Sequence, residues 1–243
     1  MKVSVVLPTY NERQNIKILL PMIEKDFFKA NKINGEIIVV DDNSPDGTAE
    51  AARKINKKYG NIRVIVRQKK EGIGAALRAG YDSARYELIL SSDVDLSFKV
   101  KDMTRLLNSI NSGYDLVVGS RYSIGGSFEK TTTKTRIEGF LSKFGNRLTK
   151  VVSGVRLNDF SANFRAVKNE VWKSIKTREN TNSILLEMIL KAYYKGYKVT
   201  EIPVVFSSRK YGESKLNLKK EAPKFFGKLI YHTWKCRIQK DFD

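Results

Sequence analysis

Two aspartates one residue apart offer the plainest chemistry in this chain. Asp93 and Asp95 flank Val94, directly after the apolar run Leu88–Leu90 and two serines. Alternate residues at the end of a buried strand point the same way, so these two carboxylates can share a divalent cation. A hard cation held by one or two protein carboxylates completes its shell with water and substrate phosphate oxygens. The motif therefore predicts either a solvated turn or a divalent-cation site that binds a diphosphate.

The motif belongs to an alternation of short apolar runs and amphipathic stretches. The runs, rich in Val and Ile, lie at Val3–Leu7, Ile37–Val40, Ile62–Val66, Leu88–Leu90 and Leu116–Val118. Amphipathic stretches between them predict helices over Asn15–Lys29, Thr48–Tyr59, Ile73–Ala84 and Lys101–Ser112. This rhythm is typical of a parallel sheet. We therefore predict an α/β fold with a Rossmann-like, mostly parallel sheet flanked by helices.

Polar residues follow four of the predicted strands. The clusters are Pro8–Glu12, Asp41–Asn43, Asp93–Asp95 and Gly119–Arg121. In an open α/β sheet, ligands bind along the edge formed by the carboxyl ends of the strands. We therefore expect these clusters to converge on one crevice.

The rhythm changes after Arg121. Ser123–Thr135 is rich in Gly, Ser and Thr, which predicts a flexible loop or a lid. Further predictions are helices over Ile137–Val152 and near Ile184–Tyr194, a strand pair around Val199–Phe206 and a loop over Arg209–Leu216.

The C-terminal residues from Pro223 onward predict an amphipathic basic helix. Its apolar face would carry Phe225, Phe226, Leu229, Ile230, Trp234 and Ile238, with Lys224, Lys228 and Lys235 largely off that face. Such a helix either lies in a membrane interface or packs its apolar face on the domain. We accordingly divide the chain into a catalytic domain over 1–218 and this helix over 219–243.

Composition excludes several kinds of chemistry. The 243 residues include one cysteine, Cys236, and one histidine, His232, so an internal disulfide is excluded and we expect neither a zinc cluster nor a Ser-His-Asp triad. No signal-peptide pattern and no apolar stretch of about 18 residues occurs, which predicts a soluble or peripheral protein. The net charge of +19 favours anionic partners: nucleic acid, nucleotide phosphates or acidic lipid headgroups.

Several segments, in this order along the chain, resemble a known family. They are Val3–Glu12, Val40–Thr48, Asp93–Ser97, Gly119–Tyr122 and Tyr211–Lys215. They resemble the dolichol-phosphate mannose synthases and their polyprenyl-phosphate glycosyltransferase relatives. The resemblance implies a GT-A fold and the transfer of mannose from GDP-mannose to dolichyl (polyprenyl) phosphate, a dolichyl-phosphate β-D-mannosyltransferase activity.

The chain departs from the family pattern in places. Val94 replaces the usual Ala, and Ser161–Arg165 replaces a segment usually closer to Ser-Gly-Phe. The chain resembles the short members of the family, which bind peripherally at the cytoplasmic face of a membrane and in some organisms depend on small membrane-anchoring subunits.

The resemblance also implies roles for individual residues. The nucleotide sugar would contact Pro8, Tyr10, Glu12, Val40, Asp42, Asp93, Val94, Asp95, Arg209 and Lys215. The Mg²⁺ or Mn²⁺ cofactor would be held mainly by Asp95, with Ser97 and Asp93. Asp93, Asp95 and Arg121 would be catalytic, and Arg121 and Arg136 would bind the acceptor phosphate.

The reaction implied needs no general base. The nucleophile is a phosphate monoester, whose second pKa of about 6 leaves it mostly dianionic at neutral pH. Displacement on an α-linked sugar nucleotide inverts the anomeric centre. We expect catalysis from alignment and charge stabilisation.

Other functions remain open at this point. A related enzyme would move glucose or another sugar from a nucleotide sugar to polyprenyl phosphate or to a non-lipid acceptor. A nucleic-acid-binding protein would also explain the charge of +19. The acidic cluster at the strand ends would repel a phosphate backbone, however, so we expect no nucleic acid partner.

Overall fold

The computed structural model describes residues 2–128, 133–207 and 218–242, and of residues 128, 133–138 and 218–222 it describes the backbone alone. The strands are β1 (Lys2–Thr9), β2 (Asn34–Asp41), β3 (Ile62–Val66), β4 (Leu88–Ser92), β5 (Leu116–Ser120), β6 (Ser127–Phe128), β7 (Phe164–Lys168), β8 (Val199–Pro203) and β9 (Val205–Phe206). All five strands predicted in the first half of the chain are present.

One seven-stranded sheet forms the centre, in the order β3-β2-β1-β4-β7-β5-β8. β7 runs antiparallel to both of its neighbours, and the other pairs are parallel. The predicted mostly parallel α/β sheet is therefore confirmed. β7 itself was not predicted, because the buried Arg165 interrupts its apolar pattern.

The helices are α1 (Arg13–Met22), α2 (Thr48–Tyr59), α3 (Ile73–Asp82), α4 (Asp102–Asn111), α5 (Thr133–Ser153), α6 (Asn169–Ser174), α7 (Ser183–Tyr194) and α8 (Leu218–Trp234). π-helical turns over Ile23–Lys29 and Lys235–Gln239 continue α1 and α8. The predicted helices are confirmed with small shifts at their ends. α8 begins five residues before Pro223, so the prediction of Pro223 as the first helical residue was wrong.

The two strands around Val199–Phe206 exist, but they do not pair with each other. β8 extends the main sheet beside β5, and β9 forms a separate parallel ladder with β6. Only Val204 separates β8 from β9, and a hairpin needs a turn of about two residues. The predicted strand pair was therefore wrong in its pairing.

Helices cover both faces of the sheet, so β1, β2, β4 and β5 are buried along nearly their whole length. Gly80 of α3 allows this close packing, since a Cβ there would lie 2.4 Å from Val6. No helix among the described residues combines the length and the apolar character needed to cross a membrane.

Candidate functional site

The carboxyl ends of β1, β2, β4 and β5 meet at one edge of the sheet, and the antiparallel β7 begins there. Hydrogen bonds connect the loops along this edge. The amide of Asn11, after β1, donates to Ser44 Oγ, after β2, over 2.9 Å. Asn163, before β7, donates from Nδ2 to Asp93 Oδ1, after β4, over 3.0 Å. The strand order thus brings together the polar clusters predicted to share a crevice.

Asp41 organises the loops at the end of β1 and β2. Its buried carboxylate accepts hydrogen bonds from Thr9 Oγ1 (2.9 Å) and from the amide and hydroxyl of Ser44 (2.8 and 2.6 Å). Asn11 and Asn43 adopt left-handed backbone conformations beside it, with φ of 59° and 57°. Asn tolerates this conformation better than most residues, which permits the sharp turns. Asp41 therefore has a structural role.

Asp42 and Tyr10 lie at the nucleotide end predicted for the site. Arg67 Nη1 donates to Asp42 Oδ1 over 2.7 Å, and the Arg67 amide donates to the carbonyl of Asp41. Burial raises the pKa of Asp42 above its ordinary value, although Arg67 opposes the shift. Lys70 Nζ lies 3.9 Å from the centre of the Tyr10 ring. A carboxylate, an aromatic ring and two cations thus lie together at this end of the sheet edge.

Glu12 lies at the same end and anchors the start of α1. Its Oε2 accepts a 2.6 Å hydrogen bond from Asn15, and its amide donates to Thr48 Oγ1. Pro8 is partly exposed next to its β2 partner Val40, whose side chain is fully buried. The side chain of Val94 is also buried. Both valines are buried as whole residues, and their contact with a nucleotide stays a prediction.

The segment Asp93–Ser97 forms a tight turn around Asp95. The buried carboxylate of Asp95 accepts a hydrogen bond from the Ser97 amide over 3.1 Å, and Leu96 adopts φ of 62°. The buried Ser97 Oγ has no hydrogen-bond partner among the described residues. The Asp95 carboxylate and the Ser97 hydroxyl are hard oxygen ligands, which suit Mg²⁺ or Mn²⁺.

The protein supplies only part of such a cation's shell. Within the described ranges, no three His, Cys, Asp or Glu side chains are grouped closely enough to bind a metal ion. A cation on the Asp93–Ser97 turn would therefore take further oxygen ligands from a substrate or from water.

Arg121 is held by an ion pair with Asp159. Arg121 Nε and Nη2 donate to the two oxygens of Asp159 over 2.7 and 2.9 Å, and Nη2 also donates to Ser161 Oγ. Burial alone would raise the pKa of Asp159, but the adjacent Arg121 lowers it on balance. The pKa of Arg121 is raised by Asp159 and, to a smaller extent, by Asp93, although burial opposes both. Arg121 thus lies within the electrostatic reach of the aspartate motif.

Three predicted ligands of anionic groups fall outside what the structure describes. Arg209 and Lys215 belong to the undescribed residues 208–217, and the side chain of Arg136 is not among the described ones. Their roles stay predictions.

Sequence reasoning missed several residues of this edge. Arg67, Lys70, Asp159 and Asn163 received no role, although Asn163 lies in Ser161–Arg165, the segment that departs from the family pattern. Arg67 and Lys70 follow β3, and a polar cluster at the end of that strand was a usable signal. Asp159 and Asn163 precede β7, and only the antiparallel direction of that strand places them at this edge.

Solved structures of known proteins share this architecture. Glucosyl-3-phosphoglycerate synthase from Mycobacterium tuberculosis, in complex with Mn²⁺, UDP and phosphoglyceric acid, superposes with a TM-score of 0.68 over 96% of this chain and 78% of that chain. The same enzyme with Mg²⁺ and UDP gives a TM-score of 0.64. Sequence identity is 15% in both cases, so this likeness concerns the fold, which is GT-A-like.

Curated relatives cover most of the chain. A dolichol-phosphate mannosyltransferase of Pyrococcus furiosus is 34% identical over 89% of this chain, which spans 59% of that longer protein. A polyprenol monophosphomannose synthase of Mycolicibacterium smegmatis is 31% identical over 88% of this chain and 80% of its own length. These relatives confirm the resemblance drawn from the motifs. Residues 4–175 match the family model described as glycosyl transferase family 2, and the chain belongs to that family.

Proposed function

We propose that this chain transfers mannose from GDP-mannose to a polyprenyl or dolichyl phosphate, with inversion at the sugar carbon. The observation that carries the proposal is the placement of Asp93 and Asp95 at the same sheet edge as the Arg121–Asp159 ion pair. One part of the edge can bind a metal diphosphate, and the adjacent part presents a cation to a second phosphate. The two curated relatives, both named for mannose transfer to a polyprenol or dolichol phosphate, support it.

The nucleotide would bind where β1, β2 and β3 end. The ring of Tyr10 offers a stacking surface, with Lys70 above it, and the Asp42 carboxylate can accept hydrogen bonds from a base or ribose. Because Arg67 pairs with Asp42, it fixes the direction of that carboxylate.

Asp95, assisted by Asp93 and by Ser97, would hold the cation on the diphosphate. A bound Mg²⁺ or Mn²⁺ would neutralise the charge that develops on the departing nucleotide. Mn²⁺ and Mg²⁺ accompany UDP in the structurally similar synthase, which is in keeping with this assignment.

Arg121 would receive the acceptor phosphate. Its guanidinium is oriented by Asp159, and its side chain is 12% exposed, so a small part of it faces solvent. The acceptor phosphate, with a second pKa of about 6, attacks as a dianion and needs no side chain to remove a proton. The protein then contributes alignment and charge compensation.

A lipid-extraction assay tests the proposal. The protein would be incubated with Mn²⁺, a phosphorylated polyprenol and either radiolabelled GDP-mannose or radiolabelled UDP-glucose. We expect label in the lipid fraction from GDP-mannose. If the lipid fraction is labelled from UDP-glucose but not from GDP-mannose, the transferred sugar is glucose rather than mannose. If no donor labels the lipid fraction, the proposal of a lipid acceptor is overturned.

We further propose that the protein binds the cytoplasmic face of a membrane through one surface. We call it the α5–α8 surface, and it consists of the exposed apolar side chains of α5 and of α8 with its π-helical extension. Its members are Phe140, Leu141, Phe144, Val151, Phe226, Ile230, Tyr231, Trp234 and Ile238. α5 packs against α8, so these side chains lie on adjacent helices.

Charge also suits this surface to an anionic membrane. Exposed cationic side chains lie on the same two helices, among them Lys143, Arg147, Lys224 and Arg237. Large exposed apolar patches with a polar rim are typical of interaction surfaces, and basic residues near apolar ones favour acidic lipids. The partner we propose is the lipid itself. A requirement for a small membrane-anchoring subunit would appear as failure to bind pure lipid vesicles.

A further inference from the structure

A chain of buried hydrogen bonds ends on Asp93. Tyr81 Oη donates to Ser91 Oγ over 2.7 Å, Ser91 Oγ donates to Asn163 Oδ1 over 2.8 Å, and Asn163 Nδ2 donates to Asp93 Oδ1 over 3.0 Å. Tyr81, Ser91 and Asn163 are each at most 2% exposed. Water therefore has little access to the first three members of the chain.

The antiparallel strand β7 creates this contact. Ser92 of β4 lies opposite Phe164 of β7, so the next pair outward places Asp93 opposite Asn163. The two residues are 70 positions apart in the sequence. Asn163 therefore occupies the position across from the metal motif.

The chain also sets the direction of the Asn163 amide. Burial raises the pKa of Tyr81, so its phenol keeps its proton and donates to Ser91. Ser91 Oγ then directs its own proton to the carbonyl oxygen of Asn163, which leaves the Asn163 NH₂ group to face Asp93. A flipped amide would put two acceptors, Asn163 Oδ1 and the Asp93 carboxylate, against each other.

We propose that Asn163 is a positioning residue for the metal diphosphate: by donating to Asp93 Oδ1, it holds the Asp93 carboxylate in the orientation that binds the cation. This inference rests on the proposed function, which places the cation on Asp93 and Asp95. Groups that orient metal ligands typically change metal affinity by about 10- to 100-fold when they are removed.

The experiment measures binding, using GDP and Mn²⁺ as probes. Calorimetric titration gives the Kd of GDP with saturating Mn²⁺ and with EDTA, for wild type and for Asn163→Ala. We expect the variant to bind GDP with Mn²⁺ at least about tenfold more weakly than wild type. Its affinity in EDTA should stay within about twofold, because the nucleotide end of the site is untouched. An equal loss under both conditions, or no loss, would overturn the inference.

Asn169→Ala is the matched control for a buried asparagine. Asn169 is 7% exposed and donates from Nδ2 to the carbonyls of Ala84 and Tyr86, at the opposite edge of the sheet. Its replacement should lower stability without changing the Mn²⁺-dependent affinity. If the control weakens Mn²⁺-dependent GDP binding as much as Asn163→Ala does, a general packing effect explains the loss of affinity and the positioning role is overturned.

Tyr81→Phe keeps the test decisive should Asn163→Ala fail to fold. It removes only the phenol oxygen that sets the chain's direction, and it should weaken the Mn²⁺-dependent binding in the same sense, by a few fold. An unchanged affinity in a folded Tyr81→Phe variant would then overturn the inference. Wild-type GDP affinity that is independent of Mn²⁺ would instead overturn the proposed function, and this inference with it.

Discussion

Arg121 owes its position to a carboxylate that lies 38 residues further along the chain. Asp159 is completely buried, and both of its carboxylate oxygens accept hydrogen bonds from Arg121, while Oδ1 also accepts from Ser161. A buried ion pair gains little over apolar residues, but loss of one partner leaves a buried charge uncompensated. At the residue scale, the role of Arg121 in the proposed reaction therefore depends on Asp159.

Replacement of the Asp159 carboxylate should destabilise the folded protein. Asp159→Asn should lower the free energy of unfolding by about 3 kcal/mol, because Arg121 keeps its charge and loses its counter-ion. Urea denaturation at pH 7 measures the change. Glu50→Gln is the control, since Glu50 and its partner Arg53 are both more than half exposed on α2, and its replacement should change stability by about 1 kcal/mol or less. Equal losses for the two variants would contradict the assignment.

The same pair predicts a pH dependence. The pKa of Asp159 is lower in the folded protein than its ordinary value of about 4, so its stabilisation is fully present above that value. It is lost as the pH falls through the lower, folded value. The stability difference between wild type and Asp159→Asn should therefore be constant near neutral pH and shrink below about pH 4. A difference that grows on acidification, in urea titrations at stepped pH, would contradict this.

Asp95 is the residue whose loss should stop the proposed reaction. Asp95→Asn removes a charged metal ligand while keeping the size of the side chain. We expect lipid labelling to fall at least about 100-fold, since a bound cation contributes several kcal/mol to charge stabilisation. Asp115→Asn, before β5 at the opposite edge of the sheet, should retain activity. Full activity of Asp95→Asn would remove Asp95 from the site.

At the scale of elements, the segment between α6 and α7 connects α3 to α8. The carbonyl of Asn180 accepts a hydrogen bond from the Gly74 amide, and Arg78 donates to the carbonyl of Glu179. The Glu179 carboxylate in turn contacts Lys228 Nζ and His232 Nε2 of α8, each over 2.9 Å. α3, which follows the segment with Arg67 and Lys70, is thus linked to α8, which we propose binds the membrane.

A substitution at Gly72 tests this connection, because Gly72 lies where α3 contacts the segment between α6 and α7. It adopts φ of +107°, and a Cβ on it would lie 2.3 Å from the carbonyl oxygen of Asn180. Gly113 has a similar φ of +96° with open space around it. Both Gly→Ala changes carry backbone strain, but Gly72→Ala should destabilise by about 2 kcal/mol more, through the clash. Thermal unfolding measures both, and equal effects would show that the contact is unimportant.

The whole molecule combines a charge of +19 with apolar side chains on the α5–α8 surface. The C-terminal helix was predicted to bind a membrane or to pack on the domain through one apolar face. α8 packs through Leu229, His232 and Thr233, and its π-helical extension through Cys236, whereas Ile230 and Trp234 are about half exposed. Of the predicted apolar face, Leu229 is buried and Phe225 packs against the core, whereas the other four residues are exposed and belong to the α5–α8 surface.

Vesicle sedimentation tests the surface as a whole. The protein should bind phosphatidylserine vesicles, and binding should weaken as salt screens the lysines and arginines. The double change Phe144→Ser and Trp234→Ser should weaken binding about tenfold or more without loss of stability, because both side chains are largely exposed (62% and 49%). Tyr114→Ser, an exposed aromatic outside the surface, is the control. Unchanged binding of the double variant would refute the membrane surface.

Local sequence patterns were enough to predict most strands and helices of this protein and the type of chemistry at the carboxyl ends of its strands. The alternation of apolar runs predicted β1–β5 and α1–α4, because periodicity and turn residues act within a few positions. The spacing of Asp93 and Asp95 predicted two neighbouring carboxylates for the same reason. The family resemblance then singled out most of the residues of the site.

Tertiary structure alone decided which side chains support those residues. β7 enters the sheet between β4 and β5 in the antiparallel direction, and this places Asn163 at Asp93 and Asp159 at Arg121. Nothing within a few residues of either partner encodes that strand order. The exposed face of α8 was likewise set by long-range contacts, since Glu179 holds His232 on the inner side of the helix. Such contacts depend on how distant segments pack, which the pattern of one helix or strand does not contain.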